Sequence, residues 1–280
     1  MGRYTFAGHD APLIVDVVRE KTVRDAIADM KNAAIDGAKG YDLHLSALDE
    51  SCRNAASLRE ILSNVSLPVM ALSYSQSYDF SPIRETEEQR VGLLRMAIDA
   101  GVDCIDMQNY SFDERAKEPL DPADAPSGTL FAEARPREVT FKAEALEKQR
   151  ELISYAHEKG CEVLISCHTL VPMKAEQLLS LARHIETKKP DVIKIVGYAD
   201  TDEAFVEAVR GMLLLRREIT SCKVHFHCNG SRGKLTRLLF PMLGAYLIFC
   251  SDRFTASSNY MQLDLKTVAD AFRTLDWNMF

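Results

Sequence analysis

The sequence predicts an α/β fold, a single (β/α)8 TIM barrel, and three observations predict it. Short apolar runs alternate eight times with stretches of helical period over 280 residues. Such alternation implies parallel strands joined by helical crossovers. No Gly-rich phosphate turn follows an early strand, as an open doubly wound sheet would be expected to carry. No composition shift or internal repeat marks a boundary, so residues 1–280 read as one barrel domain.

The strands are expected at 12–18 (PLIVDVV), 41–47 (YDLHLSA), 67–73 (LPVMALS), 103–108 (DCIDMQ), 161–166 (CEVLIS), 191–196 (DVIKIV), 223–228 (KVHFHC) and 245–250 (AYLIFC). Helices are expected at 22–37, 53–64, 86–100, 142–159, 173–187, 201–218, 234–243 and 264–275. Gly101 and Gly160 close helices just before strands, and Thr201, Asp202 and Glu203 open one. Residues 109–140 break the rhythm with four prolines, many charges and no sustained period. That stretch is long for a βα connection. It reads as a solvated loop, or as a lid over the barrel mouth or a homodimer contact.

Composition narrows the function classes. A chain 46% hydrophobic and 27% charged is ordinary for a globular protein with a sizeable core. The formal charge of −7 argues against nucleic acid as a partner. No apolar run approaches the roughly 20 residues a bilayer span needs. The N-terminus lacks the pattern of a secretory signal, so a cytoplasmic location is expected. The seven cysteines are scattered, form no CxxC pair and read as reduced thiols.

In a (β/α)8 barrel the active site gathers at the C-terminal ends of the strands. The candidates there are His44 and Ser46, Asp106 and Gln108, His168, Lys194, and His225 with His227. Asn229, Arg232, Lys234 and Arg237 follow the seventh strand, and Ser257, Ser258, Asn259 and Gln262 the eighth. Asp106 is the one obvious carboxylate at a strand end besides Asp16. Lys194 is the most informative residue, a lone ammonium in a strand of valine and isoleucine. A lysine taken out of water gives up its proton more readily and becomes a better nucleophile toward a ketone or aldehyde. The alternative is a lysine paired with a carboxylate or reaching to the rim.

His168 ends the preceding strand. A Schiff base acidifies the neighbouring C–H, and histidine is suited to remove that proton and deliver it to a leaving group. The HFH pair, His225 and His227, opens a competing reading. Both imidazoles point to one side of a strand, and His44 or His168 would complete a metal site for an isomerase or hydrolase.

The order of these motifs resembles the type I 3-dehydroquinate dehydratase family. SCHTL matches its Ser-x-His strand end at Ser166 and His168, and DVIK its lysine strand at Asp191 to Lys194. GKLTR matches its G-x-x-S-R loop at Gly233 to Arg237, with threonine for serine. SSNYMQ supplies a serine and a glutamine four residues apart, Ser258 and Gln262, and GVDCIDMQ resembles its fourth strand, ending in Gln108. The first half departs: the second-strand E-x-R is replaced by a strand offering His44 and Ser46, and Tyr74 stands where the third strand has arginine. The resemblance implies a metal-independent lyase without a cofactor. Lys194 forms the imine, His168 shuttles the proton, and Arg237, Ser258 and Gln262 bind an anionic keto substrate. His44, Ser46, Tyr74, Gln108 and His225 then shape the pocket. A non-catalytic descendant that binds a related metabolite is the third reading.

Overall fold

The apolar runs become strands buried on both faces, and the amphipathic stretches become helices that cover them. The computed structural model describes residues 5–74, 86–254 and 261–274. In chain order, with ranges, the elements are β1 (Leu13–Val18), α1 (Val23–Asp36), β2 (Gly40–His44), α2 (Ala55–Asn64), β3 (Val69–Leu72), α3 (Glu87–Ala100), β4 (Cys104–Gln108) and α4 (Ala143–Glu158). They continue with β5 (Glu162–His168), α5 (Ala175–Glu186), β6 (Val192–Tyr198), α6 (Asp202–Glu218), β7 (Lys223–Asn229), α7 (Gly233–Met242), β8 (Leu247–Ser251), a short β9 (Leu263–Asp264) and α8 (Leu265–Thr274). The eight expected strand–helix alternations are all present.

Local chemistry sets the helix ends. Thr22 and Thr201 cap α1 and α6, and a Thr86–Gln89 capping box opens α3. Gly101 closes α3 in a left-handed conformation, φ 93°, that a side chain rarely adopts. Two strands are clearly shorter than their sequence suggests. β3 keeps only Val69–Leu72 of the expected 67–73. β2 stops at His44, and Leu45–Ala47 form a 3-10 turn that carries Ser46 off the strand.

The chain divides into two compact units. The first comprises residues 1–106, 158–162 and 247–280; the second comprises 107–157 and 163–246. In the first, β1 pairs in parallel with β2 and β8, β2 with β3, β3 with the start of β4, and β8 with β9. In the second, β6 pairs in parallel with β5 and β7. Tyr246, just before β8, donates its backbone N–H to Val224 of β7.

Residues 109–140 are folded into the second unit. The segment forms 3-10 turns at Glu114–Lys117, Pro122–Asp124 and Leu130–Ala134, and buries Tyr110, Leu120, Phe131 and Glu138. Its two ends are therefore packed, while 121–130 between them is exposed or half-exposed, as a solvated loop would be.

Candidate active site

Parallel register decides which side chains share a face. Ser166 of β5 pairs with Lys194 of β6, which pairs with His225 of β7. Two residues on, His168 pairs with Val196, which pairs with His227. Paired residues on neighbouring strands project to the same side, and so do residues two apart. Ser166, His168, Lys194, His225 and His227 therefore line one face of the second unit's sheet. All five are buried, Lys194 to 4% exposure and His168 to 9%.

Glu138 organises His168. One carboxylate oxygen, Oε2, accepts the backbone N–H of His168 at 2.6 Å and lies 3.0 Å from its Nδ1. An acceptor at Nδ1 places the ring proton there and leaves Nε2 with the lone pair that a base needs. Glu138 is buried, and its other oxygen, Oε1, has no hydrogen-bond partner among the described residues. Its backbone is left-handed, φ 63°. A non-glycine residue held there costs about 1–3 kcal/mol and persists only where its surroundings enforce it. The enforcement is visible: Glu138 N–H donates to Ala116 O at 2.5 Å, and Asn109 Nδ2 donates to Glu138 O at 2.6 Å.

His225 and His227 hydrogen-bond to each other, Nε2 to Nδ1, at 2.8 Å. Burial holds the proton affinity of His227 well below the usual imidazole range, and nearby Arg237, His225, Lys194 and His168 push it the same way. His227 thus presents a neutral imidazole on the same face as Lys194. Among the described residues, no group of three or more His, Cys, Asp or Glu side chains gathers as a metal site.

Arg237 sits in the first turns of α7, buried, with Nη2 donating to Asn229 Oδ1 at 3.0 Å. The β7–α7 turn is locked by its neighbours. Thr236 Oγ1 accepts the Cys228 N–H at 2.9 Å and donates to Gly233 O at 2.6 Å. The threonine that replaces the expected serine keeps the hydroxyl that does this. Gly233 is required by close approach, since a Cβ there would lie 2.3 Å from Cys228 O. Gln108 is buried at the end of β4 in the same unit.

The remaining expected contacts belong to the first unit. His44 Nε2 lies 3.4 Å from Asp42 Oδ2, and its ring meets Tyr74 edge-on with centroids 5.7 Å apart. Ser46 is buried on the 3-10 turn after β2. Ser251 Oγ donates to Gln262 Oε1 at 2.8 Å. Ser258 lies outside the described residues.

Sequence reasoning missed two acids. Asp42 was legible: it sits two residues before His44 in the same strand and so shares its side. Glu138 was not, because nothing in an aperiodic, proline-rich segment marks one glutamate among several. With Glu138 at His168, Asp106 is no longer the one carboxylate to consider.

Three comparisons extend these observations. A family model described as type I 3-dehydroquinase matches residues 132–278. The 3-dehydroquinate dehydratase of Coxiella burnetii (strain Dugway 5J108-111) is 30% identical over 118 residues, 42% of this chain and 49% of that one. The chain thus spans about half the length of that relative. The enzyme of the same name from Dehalococcoides mccartyi is 24% identical over 243 residues, covering 86% and 88%. Among solved structures, the 3-dehydroquinate dehydratase of Geobacillus kaustophilus superposes with a TM-score of 0.72 at 15% identity, covering 96% of this chain and 94% of that one. The type I enzyme of Clostridium difficile, solved with covalently modified comenic acid, gives 0.72 at 16% identity, with 96% and 95% covered. The fold is the (β/α)8 fold of these neighbours, as the strand–helix alternation predicts.

Proposed function

The chain belongs to the type I 3-dehydroquinase family, and from that premise we propose that it is a Schiff-base lyase that removes water from a cyclic, polyhydroxylated keto acid of the 3-dehydroquinate type. The observation that carries the reading is the shared face of Lys194 and His168, with His168 oriented by Glu138. The Lys194 amine adds to the substrate ketone, and loss of water gives a protonated imine. His168 Nε2 takes the proton from the adjacent carbon, and the electron pair is delocalised into the imine. The β-hydroxyl then departs as water, with His168 returning the proton. Hydrolysis of the conjugated imine releases the enone and restores the lysine, so the net change is loss of one water.

Arg237 supplies a planar cationic fork for a carboxylate. The His225–His227 pair adds hydrogen-bonding capacity beside Lys194, and His227, held neutral, adds no charge, which suits substrate hydroxyls. His44, Ser46, Tyr74, Gln108, Gln262 and Ser258 are assigned to substrate selection, and the replaced second- and third-strand groups favour a relative of 3-dehydroquinate over that compound itself.

The test is turnover of 3-dehydroquinate and ring-modified analogues, followed by the absorbance of the conjugated product, with and without borohydride. Substrate-dependent inactivation by borohydride is expected. Turnover that borohydride does not touch would sink the imine mechanism.

A further inference from the structure

On the side of β5 opposite His168, the second unit buries an amine that the proposed chemistry does not use. Lys188 follows α5 and is 3% exposed. Its Nζ donates to Asn109 Oδ1 at 2.5 Å. Asn109 has every polar group engaged. Its N–H donates to Ser166 O at 2.7 Å, its carbonyl accepts from Gln149 Nε2 at 3.0 Å, and its Nδ2 donates to Glu138 O at 2.6 Å. Glu138 in turn holds His168 through Oε2.

We propose that Lys188 and Asn109 are positioning residues for His168, acting through Glu138; this rests on the dehydratase reading above. The logic lies in the amide of Asn109. A lysine ammonium offers only donors, so protonated Lys188 compels Asn109 to present Oδ1 to it. That choice points Nδ2 at the Glu138 carbonyl and pins the left-handed turn from which the carboxylate reaches His168. Without a donor at position 188 the amide is free to rotate and set its oxygen against the Glu138 carbonyl, where two acceptors repel. Burial lowers Lys188 to about 7, so the ammonium that enforces this choice is fully present only below neutral pH, while the neutral amine can still donate to Asn109.

Two variants separate this role from simple core filling. Lys188→Met keeps the length and loses the donor. Asn109→Asp keeps an acceptor for Lys188 but has no donor for Glu138. Histidine 15N spectra report the His168 tautomer directly, without substrate. The wild type is expected to show the proton on Nδ1, and both variants a mixture with Nε2–H. With 3-dehydroquinate, or the analogue the wild type turns over, kcat is expected to fall about 10- to 100-fold. KM should stay within about twofold, since uniform binding is untouched. A wild-type tautomer in the folded variants overturns the proposal, whatever turnover does. If Lys188→Met does not fold, Asn109→Asp decides. If no candidate substrate is turned over, the dehydratase reading fails while the tautomer measurement still judges the relay.

Discussion

The two units differ in what they do with ionisable groups. The second unit gathers bases and cations on one face, with Lys194, Arg237 and His168 close enough to His227 to suppress its protonation, and admits Glu138 as the organising acid. The first unit gathers acids. Asp16 is raised to about 8, by burial first and then by Asp29, Asp252 and Asp42, while its bond from the Asp252 N–H pulls the other way. Asp29 is raised to about 6, again by burial first and then by Glu20 and Asp252. The second unit also carries the Ser-x-His, lysine-strand and GKLTR matches to the family. The first is where E-x-R is replaced by a strand offering His44 and Ser46 and where Tyr74 stands for arginine. Under the proposed mechanism, the imine chemistry draws on residues of β5, β6 and β7, while the groups proposed to choose the substrate are the ones that differ.

The strongest way to break this comparison is to remove the nucleophile. Lys194→Ala should lower turnover by at least ~1,000-fold, the scale of losing an essential covalent group. Retained turnover would move the chemistry out of the second unit. Next in size, Glu138→Gln should lower kcat by about 100-fold, the lower range of acid–base contributions, and leave imine formation intact; steady-state kinetics with borohydride trapping reads both. A smaller effect is expected in the first unit, where His44→Ala should change KM between analogues several-fold and kcat little, because it removes binding shared by ground and transition states. An equal loss in kcat would place His44 in the chemistry instead.

The first unit's acids can be tested through stability. A carboxyl raised from 3.8 to about 8 is protonated in the fold and ionised in the unfolded chain across that window. The folded state then binds more protons, so its stability falls as pH rises, by at most about 1.4 kcal/mol per pH unit for one group. Asp16→Asn removes that dependence. Denaturant melts at pH 5 and pH 8 should show the variant gaining on the wild type at the higher pH; parallel curves would count against a protonated Asp16. The smallest effect is expected at Thr236→Ser, which keeps the hydroxyl that accepts from Cys228 N–H, whereas Thr236→Val should cost about 1–3 kcal/mol for the unsatisfied buried donor.

The fold was legible because apolar periodicity is local. The expected helix at 201–218 and the observed Asp202–Glu218 differ by one residue, since Thr201 announces its own cap. Lys194 and His168 were legible for the same reason: a charge or an imidazole in a valine–isoleucine run is visible without knowing the fold. Ser46 shows the limit, because the 3-10 turn that displaces it leaves no mark in YDLHLSA. Glu138 lies 30 residues from His168 and Asn109 lies 79 from Lys188. Such partners are chosen by tertiary packing and a left-handed backbone, which no period records.

Most direct is peptide mapping after borohydride reduction with the substrate that is turned over, across wild type, Lys194→Ala and His168→Ala. The account predicts an adduct on Lys194 in the wild type, more of it in His168→Ala because elimination stalls after the imine forms, and none in Lys194→Ala. An adduct on another lysine, or turnover with no adduct at all, would contradict it.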